Sequence, residues 1–142
     1  MPELKRDNTY TINDIDFSQK TFIDRALTLL RTVFPDTVFS KEWWEWKYLR
    51  NPFGDPLGWV TESNNEIVGL RLLIPNRFRM GDDICTGYQL VDTATHPDHG
   101  RKGIFSAMTK KAIEKIESEN SFFFNFPNEK TLPGYISLGW KQ

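Results

Sequence analysis

The residues of this chain whose types and spacing point most clearly to chemistry form a short glycine-rich and basic loop. Residues 100–105 read Gly-Arg-Lys-Gly-Ile-Phe, after a strand-like segment and before an amphipathic segment typical of a helix. The first amides of a helix have no partners within the helix, and the helix dipole adds partial positive charge to them. An anion, and a pyrophosphate in particular, fits such a position. Gly100 and Gly103 leave room for it, while Arg101 and Lys102 add positive charge.

The loop matches neither of two common nucleotide-binding motifs. It lacks Gly-x-x-x-x-Gly-Lys-Ser/Thr and Gly-x-Gly-x-x-Gly, which excludes a P-loop and a dinucleotide fingerprint. A solvated turn is the alternative interpretation, because glycine occurs in many turns between strands and helices. His96 and His99 precede the loop, and we interpret them as surface or rim residues. We predict no metal site there, since no third ligand accompanies them.

The composition restricts the classes of function. The 142 residues suit one ordinary domain, and 18 basic against 19 acidic residues give a formal net charge of −1. Such a balance argues against nucleic acid or an anionic membrane as a partner. The one cysteine, Cys85, excludes an intrachain disulfide and fits a reducing compartment. Because the sequence has no signal peptide and no membrane-spanning apolar run, we expect a cytoplasmic protein.

Hydrophobic periodicity and turn residues predict the element order β-α-α-β-β-β-α-β-α. The predicted strands are residues 9–12, 59–62, 67–74, 84–95 and 122–126, and the predicted helices are residues 17–34, 41–49, 103–119 and 131–137. Ser18 and Ser40 are candidate N-caps of the first two helices. Because the strand at 122–126 follows a helix closely, we expect it to lie parallel to the strand at 84–95.

This element order and two motifs resemble the GNAT superfamily of acyl-CoA-dependent N-acyltransferases. The first motif is the strand, loop and helix over residues 90–108; in the family its loop reads Gln/Arg-x-x-Gly-x-Gly/Ala and holds the CoA pyrophosphate. The second motif, residues 128–140, is similar to the family's Asn-x-x-Ala-x-x-x-Tyr-x-x-x-Gly-Phe segment, with Asn128, Tyr135 and Gly139 at the required spacing. The resemblance covers the chain from residue 10 to its end.

Some residues depart from the family pattern. Gly100 stands where Gln or Arg is usual, and Phe105 stands where a second Gly or Ala is usual, whereas Gly103 is retained. The backbone amides of residues 101–105 can still bind a pyrophosphate, because Gly103 keeps the close approach open. Residues 43–54 also resemble a bacterial subgroup of longer GNAT proteins, some of which are encoded near surface-polysaccharide genes.

The resemblance implies an α/β (α+β) fold, with one GNAT-like domain over residues 1–142 and a central mixed sheet flanked by helices. The sheet is expected to be mostly antiparallel, with one splayed parallel pair of strands. A complete domain of this family continues with two further strands. We therefore expect the chain to be C-terminally incomplete, with an exposed apolar edge between Phe122 and Phe126 through which it self-associates.

The resemblance also implies a reaction, the direct transfer of an acetyl group from acetyl-CoA to a primary amine of a small molecule or sugar. The residues that it assigns to acetyl-CoA binding are Ala94, Thr95, Gly100, Arg101, Lys102, Gly103, Ile104, Phe105 and Asn128. Tyr135 matches the tyrosine that protonates the leaving CoA thiolate. Asp92 is the candidate general base or amine-binding carboxylate. Gln89, where some members carry a catalytic glutamate, cannot act as a base.

Simpler structural roles remain open for several of these residues. Tyr135 could pack as an aromatic side chain on the sheet, and Asn128 could form a turn. Trp43 and Trp46 share a helical face, and they serve either the core or the wall of an acceptor groove. For the whole chain, the alternatives to an enzyme are a non-catalytic CoA-binding module and an interaction domain whose loop binds nothing.

Overall fold

A five-stranded sheet organises the computed structural model, which describes residues 9–119 and 121–141. The strands are β1 (Thr11–Asp14), β2 (Leu57–Ser63), β3 (Glu66–Met80), β4 (Asp83–Thr95) and β5 (Phe122–Phe124). They lie side by side in chain order; β1 to β4 are antiparallel to their neighbours, and β5 is parallel to β4. The prediction of a mostly antiparallel sheet with one parallel pair is therefore confirmed.

Helices flank the sheet in the predicted order. They are α1 (Lys20–Val33), α2 (Lys41–Trp44), α3 (Ile104–Glu119) and α4 (Leu132–Ser137). A single π-helical turn, Glu45–Leu49, continues α2, and a 3₁₀ turn, Pro97–His99, precedes the loop before α3. Among the described helices, none is both long and apolar enough to cross a membrane.

Several predicted boundaries and one predicted cap are wrong. Helix α1 begins at Lys20 instead of residue 17, and β5 ends at Phe124 instead of residue 126. The first strand begins at Thr11 instead of residue 9, because its register with β2 pairs Thr11 with Glu62. Strand β3 continues past residue 74 to Met80, since its hairpin with β4 keeps pairing beyond Pro75. Ser18 does not cap α1; its backbone N–H and its hydroxyl both donate to the Asp16 carboxylate.

The apolar core has two parts, one on each face of the sheet. On one face, α1 and the α2 segment pack on β3 through residues spaced three or four apart along α1. The buried residues of this part include Phe22, Ile23, Ala26, Leu27, Leu30, Trp44, Tyr48, Leu70 and Leu72. On the other face, α3 packs with α4; the buried residues there include Val68, Leu73, Ile104, Met108, Ala112, Ile116 and Tyr135.

The tryptophan cluster corrects a prediction. Trp44 is fully buried and donates its Nε1–H to the Phe17 carbonyl (3.0 Å), while Trp46 is 69% exposed and Trp43 is half-buried. The prediction that Trp46 packs in the core is therefore wrong, and a role of Trp43 and Trp46 in the wall of a groove stays a prediction. The π-helical turn changes the periodicity, and the buried aromatic pair is Trp44 and Tyr48, with ring centroids 4.6 Å apart. Ser40, by contrast, caps α2 as predicted, since its Oγ accepts from the Trp43 amide.

The ladder between β3 and β4 contains a β-bulge. Between the pairs Leu70–Ala94 and Leu72–Val91, β4 carries one residue more than β3. The extra residue is accommodated at Asp92, whose φ of 49° lies in the left-handed region. The bulge therefore interrupts the alternation of side chains in the middle of the sheet.

Strands β4 and β5 separate soon after they begin to pair. Their register runs only from Gly87–Phe122 to Gln89–Phe124, whereas β4 continues to Thr95. Over the rest of β4, no strand within residues 9–119 and 121–141 pairs with the edge that faces β5. The outer edge of β5 likewise has no partner strand in the described residues, and self-association through this edge stays a prediction.

Candidate active site

The loop before α3 leads into a helix N-terminus that can receive an anion. Arg101 and Gly103 both have positive φ angles, 59° and 76°, which turn the chain sharply into α3. The first hydrogen bond of the helix joins the Ala107 amide to the Gly103 carbonyl (3.0 Å), so the amides just before Ala107 lack partners within the helix. A Cβ atom built at Gly103 would meet nothing within 4 Å. These amides therefore lie at the positive end of the helix dipole, and no neighbouring atom crowds the Gly103 position in front of them.

The other predicted loop residues differ in what they can offer a ligand. Arg101 and Lys102 are exposed cations beside the free amides. Gly100 has an ordinary extended backbone, with φ −63° and ψ 153°. Ile104 is buried in the core beneath α3 and can contribute only its backbone, while Phe105 is half-buried. The anion-binding capacity of the loop therefore resides in backbone amides and two basic side chains.

Two histidines hold the approach to this loop. The His99 Nδ1 atom lies 2.9 Å from the Tyr10 hydroxyl oxygen, which ties the 3₁₀ turn to the segment before β1. The His96 backbone N–H donates to the Val68 carbonyl (2.8 Å), and its Nδ1 accepts from the Asp98 amide (3.1 Å). In the part of the chain that the structure describes, no three His, Cys, Asp or Glu side chains are grouped to hold a metal ion.

A buried arginine lies at the centre of the α3 face of the bulge. The Arg71 Nη1 atom donates to the Tyr135 hydroxyl (2.8 Å) and to the Thr93 hydroxyl (2.6 Å), and Nη2 donates to the Thr109 hydroxyl (2.9 Å). The guanidinium also lies over the Phe105 ring, 4.7 Å from its centroid. We call Arg71, Thr93, Phe105, Thr109 and Tyr135 the Arg71 cluster.

The charge of Arg71 is almost completely withdrawn from water. Its side chain is 0% exposed, and desolvation lowers the pKa of the guanidinium, an effect that the Tyr135 hydroxyl partly offsets. The sequence reasoning missed this residue. The signal was available, because an arginine within the apolar strand segment Ile-Val-Gly-Leu-Arg-Leu-Leu-Ile must reach polar partners or a wet cleft.

A second polar cluster surrounds Asp92 on the opposite face of the sheet. The Asp92 Oδ2 atom accepts a hydrogen bond from the Tyr48 hydroxyl (2.5 Å) and lies 2.6 Å from the Lys47 Nζ atom. The Lys47 ammonium also lies 5.2 Å from the centre of the Trp43 ring. Burial, followed by the charge of Asp92, raises the pKa of the Tyr48 phenol well above its ordinary value. We call Trp43, Lys47, Tyr48 and Asp92 the Asp92 cluster.

The bulge brings the two clusters to one point of the sheet. Val91 and Asp92 are consecutive, yet both lie on the face that carries α1 and the α2 segment, while Thr93 contacts Arg71 on the face that carries α3 and α4. Tyr135, the predicted acid, belongs to one cluster, and Asp92, the predicted base, belongs to the other. Asp92 and Thr93 both lie on the part of β4 that does not pair with β5.

Asn128 has a structural role in the turn before α4. Its Oδ1 atom accepts from the backbone amides of Lys130 (3.0 Å) and Thr131 (2.9 Å) and from the Thr131 hydroxyl (3.1 Å). This is the turn-forming role that the sequence left open, and it leaves the Nδ2 group as the part of the side chain that can reach a ligand. Ala94 and Thr95 lie at the end of β4, where Ala94 is buried and Thr95 half-buried.

One cavity adjoins the predicted acid. It has a volume of about 340 Å³, and its lining includes Asn125, Pro127, Leu132, Tyr135 and Trp140. A larger cavity of about 460 Å³ lies between β2 and α3, and residues of neither cluster line it. The cavity beside Tyr135 combines open volume with a polar side chain of the Arg71 cluster.

Comparison with protein families gives the class of the protein. The model of the GNAT acetyltransferase domain matches residues 14–142, and the chain belongs to this family. Comparison with curated protein sequences gives no significant match.

Solved structures show the same fold at low sequence identity. An acetyltransferase of Trypanosoma brucei is 17% identical, with a TM-score of 0.75 over 94% of each chain. A predicted acetyltransferase of Clostridium acetobutylicum with acetyl-CoA is 14% identical, with a TM-score of 0.75 over 94% of this chain and 91% of that one. An aminoglycoside acetyltransferase from an uncultured soil metagenomic sample is 15% identical, with a TM-score of 0.72 over 94% of this chain and 93% of that one. The fold predicted from the sequence is thus shown.

Substitution of Tyr48 by Phe tests the buried contact between Tyr48 and Asp92. The pKa of Tyr48 in the folded state lies above its ordinary value of 10.0, so the native state holds the phenolic proton more tightly than the unfolded state does. The resulting stabilisation is complete below the unfolded pKa and declines by about 1.4 kcal/mol per pH unit as the pH rises from there towards the folded pKa. Urea unfolding at a series of alkaline pH values should show a steeper loss of stability for the wild type than for Tyr48→Phe. Parallel profiles for the two proteins would contradict this assignment.

Proposed function

We propose that this chain is an acetyl-CoA-dependent N-acetyltransferase, which transfers an acetyl group directly from the CoA thioester to a primary amine. The observation that carries the proposal is the pair of polar clusters at the β4 bulge, with the Tyr135 phenol on one face and the Asp92 carboxylate on the other. Direct transfer between two bound substrates needs a proton donor for the leaving group and a carboxylate for the amine, and these two groups supply them. Membership of the GNAT acetyltransferase family supports the same reaction.

The residues of the loop before α3 fit the diphosphate of acetyl-CoA. Free amides at the start of a 16-residue helix, an unobstructed Gly103 and the side chains of Arg101 and Lys102 together form a donor set for a pyrophosphate. We assign the amides of Ile104 and Phe105 to the same group. Further along the cosubstrate, the backbone of Ala94 and Thr95 is available to the pantetheine arm on the open length of β4. Acetyl-CoA would supply the thioester, and the loop and β4 would position it.

Tyr135 is suited to act as the general acid. Its oxygen already accepts from Arg71, so the phenolic proton is left to donate to a different atom. We assign that proton to the sulfur of the leaving group. The adjacent cavity of about 340 Å³ gives a ligand access to the same side chain.

Asp92 is suited to bind and deprotonate the acceptor amine. Its carboxylate is 19% exposed and pairs with the ammonium of Lys47, which supports the assignment of this position to a primary amine. An acceptor ammonium that displaced Lys47 would find the same carboxylate and the face of Trp43, at which a cation is also favoured. We propose a small-molecule or sugar amine as the acceptor, a class to which the aminoglycosides of one structural neighbour belong.

One observation favours a second function, a CoA-binding module without turnover. Lys47 and Tyr48 already satisfy the Asp92 carboxylate, so the base is not free until Lys47 moves. Release of the CoA thiol in the presence of an amine distinguishes the two functions, because only the enzyme releases it.

Replacement of Gly103 by Glu tests the cosubstrate loop. A carboxylate beside the free amides repels a pyrophosphate, and we expect acetyl-CoA to bind at least about tenfold more weakly, which corresponds to about 1.4 kcal/mol. Gly81→Glu is the matched control, because Gly81 also has a positive φ (64°) and open space around its Cα but lies in the turn between β3 and β4. Calorimetric titration should show unchanged affinity for the control. Equal affinities for both variants would exclude this loop as the binding site.

Replacement of Tyr135 by Phe tests the general acid. The change removes one hydroxyl from a buried ring, and we expect turnover to fall by about 10²–10⁴-fold while acetyl-CoA affinity stays at the wild-type level. Thiol release with a panel of amines, including aminoglycosides, measures turnover. Tyr88→Phe, which alters a tyrosine outside both clusters, should retain activity. Wild-type turnover in Tyr135→Phe would refute the acid role.

Replacement of Asp92 by Asn tests the carboxylate with little change of shape. Asn tolerates the left-handed backbone that Asp92 adopts, so the bulge is preserved. We expect thiol release to fall at least about tenfold, the low end of the effect of losing a general base, with unchanged affinity for acetyl-CoA. Full activity in Asp92→Asn would remove Asp92 from the mechanism.

A further inference from the structure

The Arg71 guanidinium is a buried positive charge that no carboxylate of the described residues neutralises. Its hydrogen-bond acceptors are the hydroxyls of Thr93, Thr109 and Tyr135, and the rings of Phe105 and Tyr135 lie beside it. Within the described residues, Arg71 forms no ion pair and its buried Nε–H has no acceptor. A charge removed from water is costly unless an opposite charge meets it. Only neutral hydroxyls and aromatic rings compensate this buried charge, and its Nε–H stays without an acceptor.

The hydrogen bonds of Arg71 fix the orientation of its guanidinium and of the Tyr135 hydroxyl. An arginine can only donate, so the Tyr135 oxygen accepts and its proton points to another atom. Thr109 accepts from Nη2 and donates its own proton to the Phe105 carbonyl (2.8 Å), which anchors the far side of the guanidinium. The guanidinium is thus held from α3, and its Nη1 atom donates to the buried Tyr135 hydroxyl.

We propose that Arg71 stabilises the CoA sulfur in its thiolate form and orients the Tyr135 proton towards it. The inference rests on the proposed function, because it needs CoA bound at the bulge. During transfer, the amine nitrogen forms the new C–N bond and the C–S bond breaks, with its electron pair left on sulfur. The sulfur takes the proton of Tyr135, while the amine gives a proton to the base. Arg71 stabilises the negative charge both on sulfur and on the phenol oxygen during this exchange.

A purely structural arginine would leave the bound thiol unaffected. A nearby positive charge in a dry site favours the ionised form of an acid, by about 1–3 pKa units for close pairs. If Arg71 acts on the sulfur, the thiol of bound CoA must therefore be more acidic than that of free CoA. This difference is a property of the ligand and depends on neither the acceptor nor turnover.

The test is an ultraviolet titration of the thiolate of CoA bound to the wild-type chain. We expect the thiol pKa of bound CoA to lie about one unit or more below that of free CoA. Arg71→Met should remove the shift, and Arg71→Lys, which keeps the charge but loses the fork, should retain part of it. Arg77→Met is the matched control, since Arg77 lies on the same strand but contacts the ring of Phe53 instead of the site. It should keep the wild-type shift.

The outcomes separate this inference from the proposed function. Normal CoA binding with an unshifted thiol in the wild type overturns the role of Arg71 and leaves the proposed function in place. An equal shift in wild type and Arg71→Met overturns it as well. Failure of the folded wild type to bind CoA overturns both. If Arg71→Met does not fold, the wild-type titration against free CoA and the Arg71→Lys variant decide the question.

Discussion

The single extra residue of β4 at Asp92 is the constraint on which the site depends. In a regular strand, side chains alternate strictly, and a one-residue change sends every later side chain to the other face. Here the bulge lets the consecutive residues Val91 and Asp92 share one face, with Asp92 beside Tyr48 and Lys47, and leaves Thr93 on the other face beside Arg71. The left-handed backbone at Asp92 costs about 1–2 kcal/mol for most residues and less for Asp. The contacts of Asp92 with Tyr48 and Lys47 offset that cost, so the α2 segment and the bulge stabilise one another.

The close packing of α3 on β3 is the second constraint on the site. A Cβ atom at Gly69 would lie 2.7 Å from the Ile104 Cγ2 atom, so only glycine allows α3 to approach β3 this closely. The close approach brings Thr109 within 2.9 Å of Arg71 and starts α3 directly behind the glycine-rich loop. The contact between Gly69 and Ile104 therefore helps to position both the free amides at the start of α3 and the buried Arg71 guanidinium. The same helix, α3, thus contributes to the proposed contacts of acetyl-CoA at its pyrophosphate and at its sulfur.

Much of this architecture could be read from the sequence, because periodicity and chain order are local properties. The element order, the parallel fifth strand and the open helix start at Gly103 follow from hydrophobic spacing and from glycine placement. The π-helical turn has no such local signal, so regular helical spacing groups Trp46 with Trp43, whereas Trp44 is the residue that the fold buries. The role of Arg71 depends on Thr93, Thr109 and Tyr135, which lie 22, 38 and 64 residues away in the sequence. Contacts of that range arise only when the sheet and both helices are assembled.

Amide hydrogen exchange of the wild-type chain, with and without acetyl-CoA, tests the central claim most directly. The claim is that one ligand binds at the start of α3 and extends to the bulge of β4. Bound acetyl-CoA should therefore slow exchange at two separate segments, residues 103–106 and residues 92–95, in the same titration. Protection of both segments at one ligand concentration is the predicted result. Acetyl-CoA that binds without slowing exchange in these segments, or that protects a different surface, would contradict the account.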